Sequence, residues 1–186
     1  MRIISGYLKG KKINLPNDKT TRPLKDLTKE SIFNIIKHSN LINLNLENSN
    51  VLDLFSGVGS FGLECISRGA KSVIFCEKYP DALKILKKNI IDFKCQKKTE
   101  VIVENIFNIK KIKQFKDKKF EIIFLDPPYN EKKLTNLVND ILSLELLRNN
   151  GIIIIHRHKK EKDIYPKEFK ILKVKNYGIS KIIFGN

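Results

Sequence analysis

Two short segments of this chain set carboxylates beside residues that stiffen or open the backbone. The first to consider is Phe124-Leu125-Asp126-Pro127-Pro128-Tyr129. Neither proline can extend a hydrogen-bonded ladder, so Pro127 and Pro128 force a rigid loop where an apolar run stops. A carboxylate and a carbonyl fixed side by side suit the alignment of an exocyclic base amine. Such an amine delocalises its lone pair into the ring and is a poor nucleophile. Asp126 and the Pro127 carbonyl would each accept one of its N–H bonds, hold the nitrogen in line with an electrophile and return electron density to it. Tyr129 offers an aromatic face for a base turned out of its stack, worth ~1–3 kcal/mol per base. An isolated Asp-Pro-Pro-Tyr is also compatible with a plain turn bearing an exposed acid. Its partner some 70 residues upstream argues for chemistry.

That partner is Val51-Leu-Asp53-Leu-Phe55-Ser-Gly57-Val-Gly59-Ser-Phe-Gly62. It contains G-x-G-x-x-G after an apolar run and before a helical pattern, which by itself matches the dinucleotide fingerprint. Glycines there let the backbone turn sharply and come close to a ligand. Charge decides which ligand. Asp53 lies just before the loop, where a carboxylate repels a pyrophosphate but attracts the ammonium and sulfonium groups of S-adenosylmethionine. Glu77 follows 24 residues later, at the end of the next apolar run, where an acceptor for a ribose diol is expected in either case. Capping of the following turn and helix is the competing role for both acids. The expected cofactor contacts are Asp53, Phe55, Gly57, Gly59, Gly62, Glu77, Asn105 and Asp126, and a helix-capping role competes for Asn105.

The elements around these residues read as α/β. Buried strands are expected at Val51–Phe55, Ser72–Cys76, Val101–Val103, Glu121–Leu125 and Ile152–Ile155. Between them, Phe61–Arg68, Asp81–Asp92 and Leu134–Leu147 carry apolar residues at helical spacing. Such alternation predicts a mostly parallel sheet with helices on both faces. Lys170–Lys175 and Ile179–Phe184, joined through Asn176-Tyr177-Gly178, predict an antiparallel hairpin at its edge. At the other end, Arg2–Tyr7 and Lys11–Leu15 could pair as a small hairpin, and Leu24–Lys37 reads as a helix. The Asn-rich Asn40–Asn50 segment reads as a connector. The resulting division is a basic N-terminal extension over 1–48 and a catalytic domain over 49–186.

Composition narrows the partners. The 186 residues carry a net charge of +16. Lysine, asparagine and isoleucine, whose codons are A/T-rich, supply 77 of them, so part of that charge reflects lysine bias. Its distribution says more: residues 1–38 and 156–186 each carry a net +6, while the 117 residues between carry only +4. Basic ends around a nearly balanced middle favour a nucleic-acid surface built from the termini. Cys65, Cys76 and Cys95 are odd in number and lack C-x-x-C spacing, as expected of free thiols in a reducing cytoplasm. No apolar run approaches the ~18 residues of a membrane span, and Met1–Gly10 lacks the features of a secretory signal. His156 and His158 alternate onto one face. With no third ligand in view they predict no metal site, but exposed or RNA-facing side chains.

Taken together, these motifs resemble the class I S-adenosylmethionine-dependent methyltransferases that modify exocyclic amines. The whole chain resembles their RsmD-type branch, the small-subunit ribosomal RNA guanine-N2 methyltransferases. The resemblance runs through Arg2–Gly6 with Gly10-Lys11-Lys12, Arg22-Pro23 with Glu30–Asn34, and Leu52–Gly57 with Gly62-Leu63-Glu64. It continues in Ser67–Ala70, Asp126–Tyr129 and the closing Tyr177-Gly178. It departs from the family at Leu24, where threonine is common, and at His156-Arg157-His158, where an acid is frequent. The resemblance implies a Rossmann-like fold with a seven-stranded sheet. It also implies methyl transfer from S-adenosylmethionine to the N2 amine of a guanine in ribosomal RNA or an assembling small subunit. The enzyme would be a cytoplasmic monomer without metal, and Arg2, Lys9, Lys11, Lys12 and Arg22 would hold the RNA backbone. Three rivals stand beside it. A nicotinamide oxidoreductase shares the glycine loop but leaves Asp53 and Asp126–Tyr129 unexplained. A DNA or RNA adenine/cytosine amino-methyltransferase shares both motifs, although the DNA enzymes usually need a target-recognition insert for which there is no room. A non-catalytic RNA-binding domain accounts for the charge alone.

Overall fold

The computed structural model describes residues 1–16, 24–42 and 44–186. Arg22, one of the expected RNA contacts, lies outside the described residues. The strands are β1 (Asn50–Leu54), β2 (Ser72–Cys76), β3 (Thr99–Ile102), β4 (Phe120–Leu125), β5 (Leu147–His158), β6 (Ile171–Tyr177) and β7 (Ser180–Gly185). They form one sheet in the order β3-β2-β1-β4-β5-β7-β6. The first five run parallel, and β7 is antiparallel to both β5 and β6. The helices are α1 (Asp26–His38), α2 (Ser60–Ser67), α3 (Pro80–Asp92) and α4 (Leu134–Ser143).

The central strands are apolar on both faces because both faces are covered. Val51, Ile122, Phe124 and Ile154 point into one hydrophobic cluster with residues of α1, α2 and α3. Leu52, Ile123, Leu125 and Ile155 point into the other, beneath α4 and the short 3-10 turns at 106–115. Every residue of α2 is buried. Phe61 stacks between Phe33 of α1 and Phe124 of β4, with ring centroids 5.3 and 4.0 Å apart. Gly62 lets α2 lie close on β2, since a Cβ there would sit 2.3 Å from the Phe75 ring.

Two elements differ most from expectation. The spacing of Leu137, Ile141 and Leu144 suggests a helix over 134–147, but α4 stops at Ser143 and Glu145 takes a left-handed φ of 50°. That conformation ends a helix, and Leu147 then opens β5. The N-terminal hairpin reduces to one antiparallel bridge, Arg2 to Lys12. The reason is competition for donors: the Ile4 and Ser5 amides bond to the Glu64 carboxylate at 2.7 and 3.0 Å, and the Leu8 amide bonds to Ser67 Oγ. Ile3, Leu8, Ile13 and Leu24 pack in the same cluster as Phe61 and Phe124.

Glu64 anchors this arrangement from a fully buried position in α2. It pairs with Arg68 Nε at 2.7 Å and with the equally buried Lys29 Nζ at 3.6 Å, and Lys29 also donates to the Arg2 carbonyl. Burial lowers the Lys29 pKa despite the nearby carboxylate. Glu64→Ala therefore leaves the buried ammonium with only the longer contact to Asp26, at 3.8 Å, among the described carboxylates. It should destabilise the protein by about 3–5 kcal/mol, measurable as a lowered Tm, whereas Arg68→Ala, at a more exposed position, should cost less.

Candidate active site at the reversal of strand order

In open α/β sheets the ligand crevice opens beyond the carboxyl ends of the strands where their order reverses. Here that point lies between β1 and β4. A cavity of about 610 Å³ occupies it, within the ~300–1,000 Å³ typical of small-molecule sites. Asp53, Phe55, Gly57, Glu77, Asn105 and Asp126–Tyr129 all line it. Gly59 and Gly62 do not. Gly59 instead holds the left-handed N-cap of α2, and Gly62 provides the close contact with β2.

The loop after β1 is shaped by backbone as much as by side chains. Phe55, Gly57 and Gly59 all have φ between 54° and 84°. For Phe55 this is a strained conformation, of the kind that concentrates at functional sites. Its ring faces Phe107 at 5.7 Å, and the two form one apolar wall of the cavity. Both acids brace this loop. Asp53 Oδ2 accepts from the Gly62 amide at 3.0 Å, while Glu77 accepts from the Gly57 and Tyr79 amides at 2.7 and 2.8 Å. These are the capping roles that competed with ligand binding. A carboxylate has four lone-pair sites, however, so each acid still has acceptor capacity toward the cavity. Asn105 likewise caps the following turn by accepting from Phe107 N, and it also lines the cavity.

Asp53 is 1% exposed, and its carboxyl is pushed well above the usual range, first by burial and then by the nearby Asp126 and Glu77 charges. A cationic ligand beside it reverses that preference and favours the ionised form. Binding of such a ligand should therefore release a proton, with affinity rising as pH rises toward the elevated pKa. Without ligand the sign for stability is opposite. The folded protein holds this proton more tightly than the unfolded chain, so stability declines as pH climbs from the ordinary carboxylate range through the raised value. Asp53→Asn should raise the neutral-pH Tm of the free protein and flatten the pH dependence of S-adenosylmethionine affinity while weakening it. Thermal denaturation and calorimetry across pH check both halves.

The β4 loop is held from outside by β5. Arg157, 1% exposed, spends every N–H it has. Its Nε and Nη2 grip the Asp163 carboxylate at 2.9 and 2.8 Å, Nη1 reaches the Pro128 and Tyr129 carbonyls at 3.1 Å, and Nη2 also reaches the Glu131 carbonyl. The Pro127 carbonyl is not among these acceptors. Tyr129 is fixed as well, through its hydroxyl at 2.8 Å from Ser180 Oγ. His156 corrects an expectation. It is buried at 4% exposure, and its Nδ1 lies 2.7 Å from Asp126 Oδ1. Residue 156 shares a sheet face with Phe124 and Ile154, so its side chain turns inward beside the acid rather than out to RNA. His158 is only half-buried and meets the Tyr129 ring edge-on at 4.9 Å.

Spacing alone also passed over Phe107, Tyr79 and Ser60, all of which line the cavity. Arg2, Lys9, Lys11 and Lys12 are exposed. Among the described residues no group of three or more His, Cys, Asp or Glu side chains is placed to hold a metal ion, and no helix is long and apolar enough to cross a membrane.

This donor set fits S-adenosylmethionine. The cavity combines two buried or half-buried acids for cationic and hydroxyl groups with an aromatic wall for a purine. Among the described residues it offers no basic side chain deep in the loop for a pyrophosphate, and the one lining cation is Lys78. Sheet order, paired acids and the β4 loop define a class I S-adenosylmethionine-dependent methyltransferase. More narrowly, the chain belongs to the RsmD family, whose sequence model, described as "Conserved hypothetical protein 95", matches residues 1–186. The chain is 32% identical to the Ribosomal RNA small subunit methyltransferase D of Haemophilus influenzae, over 96% of this chain and 90% of that protein. It is also 32% identical to the Buchnera aphidicola protein of the same name, over 93% and 86%. A Haemophilus influenzae crystal structure described as a "putative methylase" superposes with a TM-score of 0.76 at 30% identity, covering 99% of this chain and 96% of that one.

Proposed function

We propose that the protein transfers a methyl group from S-adenosylmethionine to the N2 amine of a guanine in small-subunit ribosomal RNA. The observation that carries this reading is that Asp126 and Pro127 both line the cavity, on a loop braced by His156 and Arg157 of β5. When bound, the cofactor would supply an electrophilic methyl on a sulfonium, with the neutral thioether as its good leaving group. The guanine is turned out of its stack onto Tyr129. Asp126 and the Pro127 carbonyl accept the two amine hydrogens and point the nitrogen lone pair along the line of transfer. The N–C bond forms as the S–C bond breaks, and the surplus proton leaves the methylated nitrogen late, to solvent. Asp126 serves as an acceptor rather than a strong base.

Asp53, Phe55, Gly57, Glu77 and Asn105 hold the cofactor in this reading, with Glu77 on its ribose. Arg2, Lys9, Lys11, Lys12 and Arg22 bind phosphates, adding salt-sensitive affinity without sequence choice. The protein acts as a cytoplasmic monomer, and the direct displacement calls for no metal. The relatives named for small-subunit rRNA methylation support the substrate class. Labelled S-adenosylmethionine offered with small ribosomal subunits, with naked ribosomal RNA and with DNA tests the proposal. Incorporation into either RNA substrate is expected. Incorporation into DNA alone, or into none of them, overturns it.

A further inference from the structure

The Asp126–His156 contact is asymmetric, and the asymmetry assigns His156 a task. An ionised Asp126 can only accept, so Nδ1–H of His156 donates to Oδ1 across 2.7 Å. The ring's other nitrogen is Nε2. That atom is buried and makes no hydrogen bond within the described residues. A buried ring nitrogen left unpaired is destabilising. Stability alone would favour an aliphatic side chain, as at Ile152–Ile155 immediately before it on the same strand. What the histidine provides lies at its other nitrogen. Asp126 Oδ1 is occupied, Oδ2 makes no hydrogen bond within the described residues, and the residue lines the cavity.

We propose that His156 is a positioning residue. It fixes the Asp126 carboxylate in one rotation, with Oδ1 withheld and Oδ2 presented to the incoming amine. It takes no proton from the substrate, because Nδ1 already carries one and Nε2 is sealed from solvent. The inference rests on the reading of Asp126 as the amine acceptor. Freed from His156, the carboxylate rotates about its side-chain torsions and the aligned geometry is populated only part of the time. A misplacement on the order of 1 Å costs up to about 10²-fold in rate.

The test compares His156→Leu, which removes the donor, with His156→Asn, whose side-chain amide places an N–H where Nδ1 stood. Single-turnover rates on ribosomal RNA or small subunits are measured beside S-adenosylhomocysteine affinity. The leucine variant is expected to lose roughly 30-fold in rate with cofactor affinity changed less than about 3-fold, and asparagine is expected to recover most of that loss. Three results overturn the proposal: a leucine variant as fast as wild type, an asparagine variant no faster than leucine, or loss of cofactor binding in the leucine variant, which makes the residue structural. Asp126→Ala in the same assay separates the two layers. If it remains active, the acceptor reading itself fails. If it is inactive while His156→Leu is unimpaired, only the positioning role falls.

Discussion

Asp126→Ala should lower the methyl-transfer rate by about 10³-fold or more while leaving S-adenosylhomocysteine affinity within a few-fold of wild type. The magnitude follows from what the side chain does. An exocyclic amine is a weak nucleophile until its hydrogens are engaged, and losing a preorganised polar contact at a reacting centre typically costs ~10²–10³-fold. Here the loss also frees the nitrogen to rotate out of line, which adds an orientational penalty. Affinity is spared because the cofactor cradle is braced independently: Asp53 is tied to Gly62, and Glu77 to Gly57 and Tyr79. Asp126→Asn should be nearly as slow, since the amide carries no charge and offers one acceptor oxygen instead of two. A variant that kept wild-type turnover would remove Asp126 from the chemistry.

Arg157→Met should be the most damaging change away from the reacting atoms. It leaves the carbonyls of Pro128, Tyr129 and Glu131 without their donor and strands the Asp163 carboxylate, whose side chain is 9% exposed. Removing one partner of a buried ion pair costs about 3–5 kcal/mol, which for a domain of this size is roughly 10 °C in Tm. Turnover should fall too, even below the melting transition, because the β4 loop loses the clamp that fixes Pro128 and Tyr129. Arg157→Lys should rescue little. An ammonium has three donors on a flexible stem and cannot span both a carboxylate and three carbonyls. Melting curves and rates measured well below the transition distinguish a global loss of stability from a loosened loop.

The residues legible in the sequence are those whose evidence is local. The strands announce themselves as short apolar runs, and the Asp53 loop and Asp126–Tyr129 each compress their signal into a few consecutive positions. The helix reads longer than 134–143 in the sequence because Leu144 continues the spacing of Leu137 and Ile141, while the break comes from Glu145 in a left-handed conformation that no glycine advertises. His156 departs from expectation for a different reason. A His-Arg-His run after four isoleucines looks like a strand leaving the core. It stays inside because the chain returns: β7 pairs along it, and Asp163 folds back onto Arg157. Such contacts link residues brought together by topology, as Asp126 with His156 or Glu64 with Ile4 and Ser5, and nothing in local spacing encodes them. The basic termini suit a polyanionic partner, but charge is silent on the reaction.

The central claim is chemical: this loop methylates an exocyclic amine, and specifically N2 of a guanine. The most direct measurement is to react the protein with labelled S-adenosylmethionine and small ribosomal subunits, digest the RNA to nucleosides and identify the labelled one, with Asp126→Ala as control. The account predicts label in N2-methylguanosine with wild type and none with the variant. Label in another methylated nucleoside, or equal label from both proteins, contradicts it.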